Sequence, residues 1–270
     1  MSIDFSLYQA VLLDLDGTLY HEETALPGAV ALLRRLQSER RTFACLSNST
    51  SSPLRIAQRL VRMGVEVDPT QIYTAAAAAC DYVLAMSQPG GPASGRRVRV
   101  YNLSTESVGE MLEGQVDWVQ TPGEPCDAVI VGTPVNVFAT EERQRTALYL
   151  LRRGARLVAI CADRVYPSPR GLEFGSGALA AMLAYAANCN PVFCGKPETI
   201  FFHELCQRMD LDPRWCVLIG DNVEADILGA KRVGMRTVLT LTGVTRRRDL
   251  LDLPPEHQPD LVVEDLSEVV

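Results

Sequence analysis

Val11-Leu-Leu-Asp-Leu-Asp-Gly-Thr-Leu19 joins an apolar run to two carboxylates and a glycine. The apolar run predicts a buried strand that ends at Asp14. Two acids at the mouth of a buried strand are unfavourable unless a cation binds there. Carboxylates are hard oxygen ligands that suit Mg²⁺, and one of them can serve as a covalent nucleophile toward phosphorus. The stretch therefore predicts metal-assisted phosphoryl chemistry at Asp14 and Asp16.

Composition narrows the class of protein. The chain has 270 residues, enough for one large domain or two modest ones, and its 47% hydrophobic and 22% charged content is typical of a soluble globular protein. A formal net charge of −7 argues against a general nucleic-acid binder. We expect no signal peptide and no membrane partner. Eight cysteines without a C-x-x-C pair favour reduced thiols in a cytoplasmic protein over zinc sites or disulfides.

Strands and helices are predicted to alternate at both ends of the chain. Periodicity and capping residues predict them over 10–14, 27–38, 42–46 and 53–63, and again over 176–187, 192–194, 197–209, 215–219, 224–233, 236–241 and 261–263. This alternation is typical of an α/β fold with a Rossmann-like doubly wound parallel sheet.

The middle of the chain has a different organisation from its two ends. A turn-rich loop at 88–95 precedes three further predicted strands, which are separated by two helices. We therefore predict a catalytic core domain formed by residues 1–78 and 176–270, with a smaller α/β domain, 79–175, inserted into it.

Four groups of polar residues follow four predicted strands. They are Asp14 with Asp16, Ser47-Asn48, Gly195-Lys196-Pro197 and Gly220-Asp221-Asn222. Ligands of open parallel sheets bind outside the carboxyl ends of the strands. We therefore expect the four groups to form one site.

Each group offers a role in phosphoryl transfer. Asp14 can attack phosphorus, and Asp16 can protonate the leaving oxygen and then activate water. Ser47 and Asn48 offer a hydroxyl and an amide to a phosphoryl oxygen. Lys196 supplies a positive charge that draws the nucleophile and the phosphate together.

The predicted metal site uses the last of these groups. Asp221 can hold Mg²⁺ together with Asp14, and Asp226 and Asn222 can support the ligands from behind or through water. Taken alone, Asp221 is equally a helix N-cap and Asp226 a solvated surface acid. The case for a site rests on the four groups together.

The same residues resemble the haloacid-dehalogenase superfamily of phosphatases. The family pattern D-x-D-x-T, Ser or Thr, Lys, and G-D with a further acid reads here as Asp14–Thr18, Ser47, Lys196 and Gly220–Asp226. Ser47-Asn48-Ser49-Thr50, Gly195-Lys-Pro197 and Gly171-Leu-Glu-Phe-Gly-Ser-Gly-Ala178 are similar to the NagD-like, or nitrophenylphosphatase-like, subfamily. The resemblance implies Mg²⁺-dependent hydrolysis of phosphate monoesters, with the backbone carbonyl of Asp16 helping to bind the metal.

The resemblance also implies a role for the inserted domain. Its position between the second and third motifs is that of the larger type of cap in this superfamily, which selects the substrate. Relatives read Asn-x-Asp where this chain has Cys161-Ala162-Asp163, so Asp163 is a candidate specificity residue. Relatives often pair through the cap, which makes a homodimer a further expectation.

Four functions remain open at this point. A phosphatase acting on a small phosphorylated metabolite, such as a sugar phosphate, glycerol phosphate or a nucleotide, fits the motifs best. A dehalogenase is disfavoured because carbon–halogen displacement needs no acid such as Asp16. A phosphotransferase shares the aspartyl-phosphate step. A non-catalytic metabolite-binding protein on the same fold would not need the nucleophile Asp14.

Overall fold

The structure is a computed structural model that describes residues 3–133, 139–168 and 171–269. It divides into two compact units. The first unit contains the chain up to Ser47, the segment Pro53–Tyr73 and the chain from Lys196 onward. The second unit contains Asn48–Ser52 and Thr74–Gly195.

The described residues form strands and helices throughout both units. The strands are β1 (Ala10–Asp14), β2 (Tyr20–His21), β3 (Thr24–Ala25), β4 (Phe43–Ser47), β5 (Ile72–Thr74), β6 (Arg99–Leu103), β7 (Asp117–Trp118), β8 (Ala128–Val131), β9 (Arg156–Ala159), β10 (Val165–Ser168), β11 (Gly171–Phe174), β12 (Val192–Phe193), β13 (Cys216–Gly220), β14 (Arg236–Thr240) and β15 (Leu261–Val263). The helices are α1 (Ala29–Ser38), α2 (Pro53–Arg62), α3 (Ala75–Ala85), α4 (Glu106–Leu112), α5 (Glu141–Arg152), α6 (Ser176–Ala187), α7 (Thr199–Met209) and α8 (Gly229–Arg232). A π-helical segment, Val223–Leu228, leads directly into α8.

The first unit is built on a six-stranded sheet in the order β15-β14-β13-β1-β4-β5. The pairs from β15 through β4 are parallel. Leu13 lies opposite Ile219 and Asp14 opposite Leu46, so β1, β4 and β13 end at the same edge of the sheet. The predicted doubly wound fold is confirmed, and three of the four polar groups follow strands of this sheet.

Burial explains why these elements form. All five residues of β1 are buried, as are all five of β13, which is the pattern of strands covered on both faces. On α1, Ala29, Leu32, Leu33 and Leu36 are buried and join the core of this unit. Each such leucine stabilises the fold by about 1.5–3 kcal/mol.

One predicted strand belongs to a different sheet. The strand at 192–194 is expected in the core sheet, but β12 pairs in parallel with β9 of the second unit, with Phe193 opposite Ala159. A two-residue strand carries too short a pattern to choose its neighbour, so the hydrogen bonds to β9 decide. Lys196 is therefore presented by the connection that leaves the second unit.

The second unit has its own sheet and core. The sheet order is β12-β9-β8-β6-β7, and its core includes Leu103, Val129 and Leu157. Asp127, next to β8, accepts hydrogen bonds from the guanidinium groups of Arg96 and Arg99 at 2.6–3.1 Å. Burial alone would raise the pKa of Asp127, but the two arginines and a backbone N–H hold it well below its usual range.

The bounds of the two units differ from the predicted 79 and 175. A boundary at 79 would cut α3, which runs unbroken from Ala75 to Ala85. α6 packs against β9, and its Leu179, Ala180 and Leu183 belong to the core of the second unit. The structure therefore divides the chain at 73/74 and 195/196, and assigns α6 and β12 to the second unit.

Across the described parts of the chain, no helix has both the length and the apolar character needed to cross a bilayer.

Candidate active site

Lys196 lies between two buried carboxylates. Its Nζ is 2.5 Å from Oδ1 of Asp14 and 2.6 Å from Oδ1 of Asp226. Asp14, Lys196 and Asp226 are only 5%, 4% and 1% exposed. The two contacts anchor the ammonium group at the end of β1, in hydrogen-bond contact with the carboxylate that the sequence predicts to be the nucleophile.

Asp221 follows β13 and is fixed by the loop after β14. Its Oδ2 accepts a hydrogen bond from the backbone N–H of Val244 at 2.6 Å, and its backbone carbonyl accepts one from Thr245 at 3.1 Å. The hydroxyl of Thr18 donates to its Oδ1 at 3.3 Å. The D-x-D-x-T stretch and the G-D stretch, 203 residues apart, therefore meet at this carboxylate.

Three glycines make room for the acids. Gly17 has φ +91°, and a Cβ there would lie 2.6 Å from Oδ2 of Asp221. A Cβ on Gly243 would lie 2.0 Å from the same oxygen, and one on Gly220 would lie 2.5 Å from Cγ of Asp226. The backbone packs so closely around both carboxylates that even an alanine would collide with them.

The segment after Asp221 is wider than an α-helix. Asn222 caps it, because its Oδ1 accepts hydrogen bonds from the backbone N–H groups of Glu224 and Ala225 at 2.9 and 3.1 Å. The N–H of Asn222 in turn donates to Oδ2 of Asp226 at 3.2 Å. An ordinary helix is predicted over 224–233, whereas residues 223–228 are π-helical, a form that is rare and frequent at functional sites. This segment carries Asp226, which is buried against Lys196 rather than solvated.

The electrostatics of the cluster follow from burial. Burial raises the pKa of Asp14 to about 6, and Asp221 adds to the rise while Lys196 opposes it. Burial likewise raises the pKa of Asp226 to about 6 against the opposing effect of Lys196. Burial also raises the pKa of Asp221, and the charge of Asp226 adds to it. For Lys196, burial lowers the pKa, but Asp14 and Asp226 outweigh it, so the ammonium stays protonated.

These acids suit a divalent cation. Asp14, Asp221 and Asp226 each offer a carboxylate oxygen within 4.8 Å of the others, and all three are buried. When ionised, three carboxylates and the ammonium of Lys196 leave two negative charges. Such a site is unfavourable without a counter-charge, and hard oxygen donors favour Mg²⁺. The residues present therefore fit the predicted metal.

Asp16 differs from its neighbours because its side chain is exposed. Partial burial still raises the pKa of its carboxyl group, while the charges of Arg59 and His21 act in the opposite direction. Gly17, the residue after Asp16, is fixed by a hydrogen bond, since the hydroxyl of Thr242 donates to its backbone carbonyl at 2.6 Å. An exposed carboxyl with a raised pKa is suited to exchange protons with a substrate.

The remaining predicted residues fall in different places. Ser47 ends β4 and is buried at the edge where β1 and β13 end. Asn48 follows it in the chain and is grouped with the second unit, as is Asp163. Asp163 is exposed, and its Oδ2 accepts a hydrogen bond from Sγ of Cys161 at 3.2 Å.

The loop of Asp163 packs tightly against the start of α6. A Cβ on Gly175 would lie 2.2 Å from the backbone oxygen of Asp163, and one on Gly177 would lie 2.3 Å from that of Ala162. Gly177 also donates its N–H to the carbonyl of Asp163 at 3.0 Å. The Gly-Ser-Gly motif therefore fixes the backbone that presents Asp163.

The structure thus brings Asp14, Lys196, Asp221 and Asp226 into one buried cluster, with Asn222 bonded to it. Sequence reasoning missed the supporting hydroxyl of Thr242. The threonine stands in Leu241-Thr-Gly-Val-Thr245, immediately after a predicted strand, and that position was the available signal.

Comparisons with known proteins identify the family of the chain. Residues 11–115 match the family model described as haloacid dehalogenase-like hydrolase, and residues 193–269 match the model described as HAD-hydrolase-like. The chain is 30% identical over 266 residues to an acid sugar phosphatase of Staphylococcus saprophyticus, covering 97% of each protein.

Two solved structures have the same fold over nearly the whole chain. NagD from Escherichia coli K-12 is 26% identical, with a TM-score of 0.84 over 100% of this chain and 99% of that one. Glycerol phosphate phosphatase Rv1692 from Mycobacterium tuberculosis, solved in complex with magnesium, is 25% identical, with a TM-score of 0.85 over 99% of this chain and 78% of that one. The chain therefore belongs to the haloacid-dehalogenase-like hydrolases and, within them, to the NagD-like phosphatases.

Proposed function

We propose that this protein hydrolyses small phosphate monoesters with Mg²⁺, through a phosphoryl group held covalently on Asp14. The observation that carries the proposal is the position of Asp14. This carboxylate is buried at the end of β1, 2.5 Å from the ammonium of Lys196 and within 4.8 Å of two further acids. A nucleophile that must meet a dianionic phosphate gains from this setting, because the neighbouring ammonium group offsets the negative charges of both.

The first half of the reaction transfers the phosphoryl group. A carboxylate oxygen of Asp14 forms a bond to phosphorus as the bond between phosphorus and the ester oxygen breaks. Asp16 enters this step protonated and gives its proton to the leaving oxygen, so an alcohol departs. The raised pKa of Asp16 supports this role, because it increases the protonated fraction near neutral pH.

The second half releases phosphate. Asp16, now a carboxylate, takes a proton from a water molecule whose oxygen attacks phosphorus. The bond between phosphorus and the oxygen of Asp14 breaks, and inorganic phosphate leaves. Asp14 regains its charge and Asp16 its proton, so both residues return to their starting states.

Lys196, Ser47 and Asn48 bind the phosphoryl oxygens in this proposal. Lys196 has a fixed position because Asp226 holds it from the other side. Ser47 supports the assignment by ending β4 at the same sheet edge as Asp14. Asn48 follows Ser47 in the motif that resembles the family, and its assignment rests on that motif.

The metal would be held by the carboxylates of Asp14 and Asp221 and by the backbone carbonyl of Asp16, with Asp226 and Asn222 supporting them. When bound, Mg²⁺ supplies positive charge to the phosphoryl oxygens. The magnesium complex of the similar glycerol phosphate phosphatase supports this choice. Val244 and Thr18 keep Asp221 oriented toward the site whatever the substrate.

We further propose that the second unit acts as the cap that selects the substrate, with Asp163 in contact with it. The relatives support a selectable substrate, since one is named an acid sugar phosphatase and another a glycerol phosphate phosphatase. The close packing of Gly175 and Gly177 against the backbone of Ala162 and Asp163 supports a defined position for Asp163. A kinetic screen over phosphorylated metabolites tests this, because Asp163→Ala should change the ranking of substrates while p-nitrophenyl phosphate turnover persists. An unchanged ranking would contradict it.

We also propose that the protein is cytoplasmic and that it forms a homodimer. All eight cysteines lie in the described part of the chain as thiols and not as disulfides, which supports a reducing compartment such as the cytoplasm. Val165, Leu172 and Phe174 of the β10–β11 hairpin are 49%, 77% and 67% exposed, which supports pairing of two copies through the second unit. Sedimentation of the wild type and of Leu172→Glu would show a dimer that the substitution dissociates, whereas a wild-type monomer would refute pairing.

The central experiment measures turnover of p-nitrophenyl phosphate with and without Mg²⁺. We expect Asp14→Asn to abolish turnover and to abolish phosphoryl labelling of the acid-quenched protein, since the amide is a poor nucleophile. Asp252→Asn, which removes an exposed carboxylate of the same unit, is the matched control and should behave as wild type. Equal turnover in the wild type and Asp14→Asn would refute the covalent mechanism.

A further inference from the structure

The segment after Asp16 folds back as a small hairpin. The backbone N–H of Gly17 donates to the carbonyl of Tyr20 at 2.8 Å, and the carbonyl of Leu15 accepts from Leu19 and Tyr20 at 2.8 and 3.1 Å. Strands β2 and β3 then pair, with Tyr20 opposite Ala25. Asp16 therefore sits at the base of a tight structure whose position decides where its carboxyl group points.

Arg59 holds this hairpin from α2. Its guanidinium group lies 4.6 Å from the centroid of the Tyr20 ring. Its Nη2 donates a hydrogen bond to the backbone carbonyl of Glu22, the residue that turns the hairpin at φ +51°. A planar guanidinium group can stack on a ring and donate in its own plane at the same time, which a lysine ammonium cannot do.

These contacts join two parts of the first unit that the sequence keeps apart. Tyr20 is 2% exposed, so the ring beneath Arg59 is a fixed surface. α2 is itself anchored, because Ile56, Ala57 and Leu60 are buried on its inner face. The guanidinium group therefore connects a rigid helix to the hairpin that follows the acid.

We propose that Arg59 is a positioning residue for Asp16, holding the hairpin so that the carboxyl group of Asp16 meets the leaving oxygen. The inference rests on the proposed role of Asp16 as the general acid. Arg59 acts through the backbone of the hairpin, and its charge on the substrate is not the essential property. Losing it leaves Asp14, Lys196 and the carboxylate of Asp221 in place and loosens Asp16.

The dependence of activity on the leaving group of the substrate distinguishes this positioning role from a purely structural one. Phenyl phosphate and p-nitrophenyl phosphate are similar in size, but phenolate is the poorer leaving group and needs the proton more. The ratio kcat/KM counts the steps up to departure of the alcohol, so it reports the acid and not the later attack of water. We expect Arg59→Ala to lower kcat/KM for phenyl phosphate by about 10-fold or more and for p-nitrophenyl phosphate by less than about 3-fold.

Two further variants identify which property of Arg59 causes the loss. Arg59→Lys keeps the charge without the planar contact, so it should share the selective loss of Arg59→Ala. Arg62→Ala is the matched control, because Arg62 lies about one turn along α2, is exposed and donates its hydrogen bond to the carbonyl of Gln58 in its own helix. It should leave both substrates unchanged. Urea unfolding of each variant checks that the fold persists.

The outcomes are distinct. An equal fall for both substrates, or full activity in Arg59→Lys, would overturn the positioning role in favour of a structural or charge role. Asp16→Asn tests the underlying mechanism in the same assay, and it should show the selective loss more strongly than Arg59→Ala. If Asp16→Asn shows no selectivity for the leaving group, the proposed acid fails. If only Asp16→Asn shows it, the inference about Arg59 fails alone.

Discussion

Lys196→Met replaces a buried ammonium group with an uncharged side chain of similar length. The ammonium lies 2.5 Å from Asp14 and 2.6 Å from Asp226. With an effective dielectric constant of about 20, Coulomb's law gives roughly 6 kcal/mol of attraction for each contact. Burial of the ammonium offsets much of this attraction. Removing one partner of such a buried network typically costs about 3–5 kcal/mol of unfolding free energy, and we expect a loss in that range.

Activity should fall as well, by about 100-fold to 1,000-fold in kcat. The cause is separate from stability, because the variant loses the positive charge beside the nucleophile. Urea unfolding at pH 7 gives the free energy, and p-nitrophenyl phosphate turnover in Mg²⁺ gives kcat. Lys231→Met is the control, since Lys231 is the other lysine of the chain and donates to the carbonyl of Gln258 on the C-terminal segment.

A double variant isolates the electrostatic cause. Lys196→Met with Asp226→Asn removes one of the two carboxylates that the single variant leaves buried and unpaired. It should recover about 2 kcal/mol of the lost stability but none of the lost activity. The reasoning is refuted if the unfolding free energy of Lys196→Met lies within about 1 kcal/mol of the wild-type value. It is also refuted if adding Asp226→Asn recovers none of the lost stability.

Three other predictions follow from features of the two units. Gly17→Ala places a Cβ 2.6 Å from Asp221 at φ +91°, so kcat should fall by at least about 100-fold; Gly64→Ala, at φ +79° with open space around it, should lose about 1–2 kcal/mol of stability and keep its kcat. Asp127→Asn should lower the unfolding free energy by about 1–3 kcal/mol at pH 7. Because the folded pKa of Asp127 is depressed, its contribution is present above its unfolded pKa of about 4 and is lost as the pH falls toward the folded value; a difference between variant and wild type that is constant from pH 7 to pH 2 would contradict this. Mg²⁺ at 100 times its dissociation constant should raise the unfolding free energy by about 2.7 kcal/mol, and Asp221→Asn should remove most of that rise; equal stabilisation of the variant would place the metal elsewhere.

Local patterns predicted many of the elements in both units. The bounds of β1 and β15 in the first unit and of α6 in the second agree with the structure to the residue, because burial at strand or helical spacing is visible in the sequence itself. The meeting of Asp14 with Asp221 followed from a general rule about strand ends. It needed no knowledge of side-chain contacts.

What the sequence did not reveal depends on long-range choices. β12 is two residues long, so its membership in the second sheet is decided by hydrogen bonds to β9 and not by its own pattern. The π-helical segment around Asp226 has the composition of an ordinary helix, so its wider form is visible only in the structure, where Asp226 contacts Lys196. The pairing of Arg59 with Tyr20 joins residues of unremarkable types that belong to no motif.

The central sheet has a consequence for the order in which a newly made chain folds. β1 pairs with β13, so Leu12 finds its neighbour Leu218 only after nearly the whole chain has left the ribosome. The second unit closes its own sheet once residues 99–193 are present, and it can fold first. During that interval the apolar strand Ala10–Asp14 lacks one of its partners. The growing chain is therefore most exposed to aggregation before the Gly220-Asp221 segment emerges.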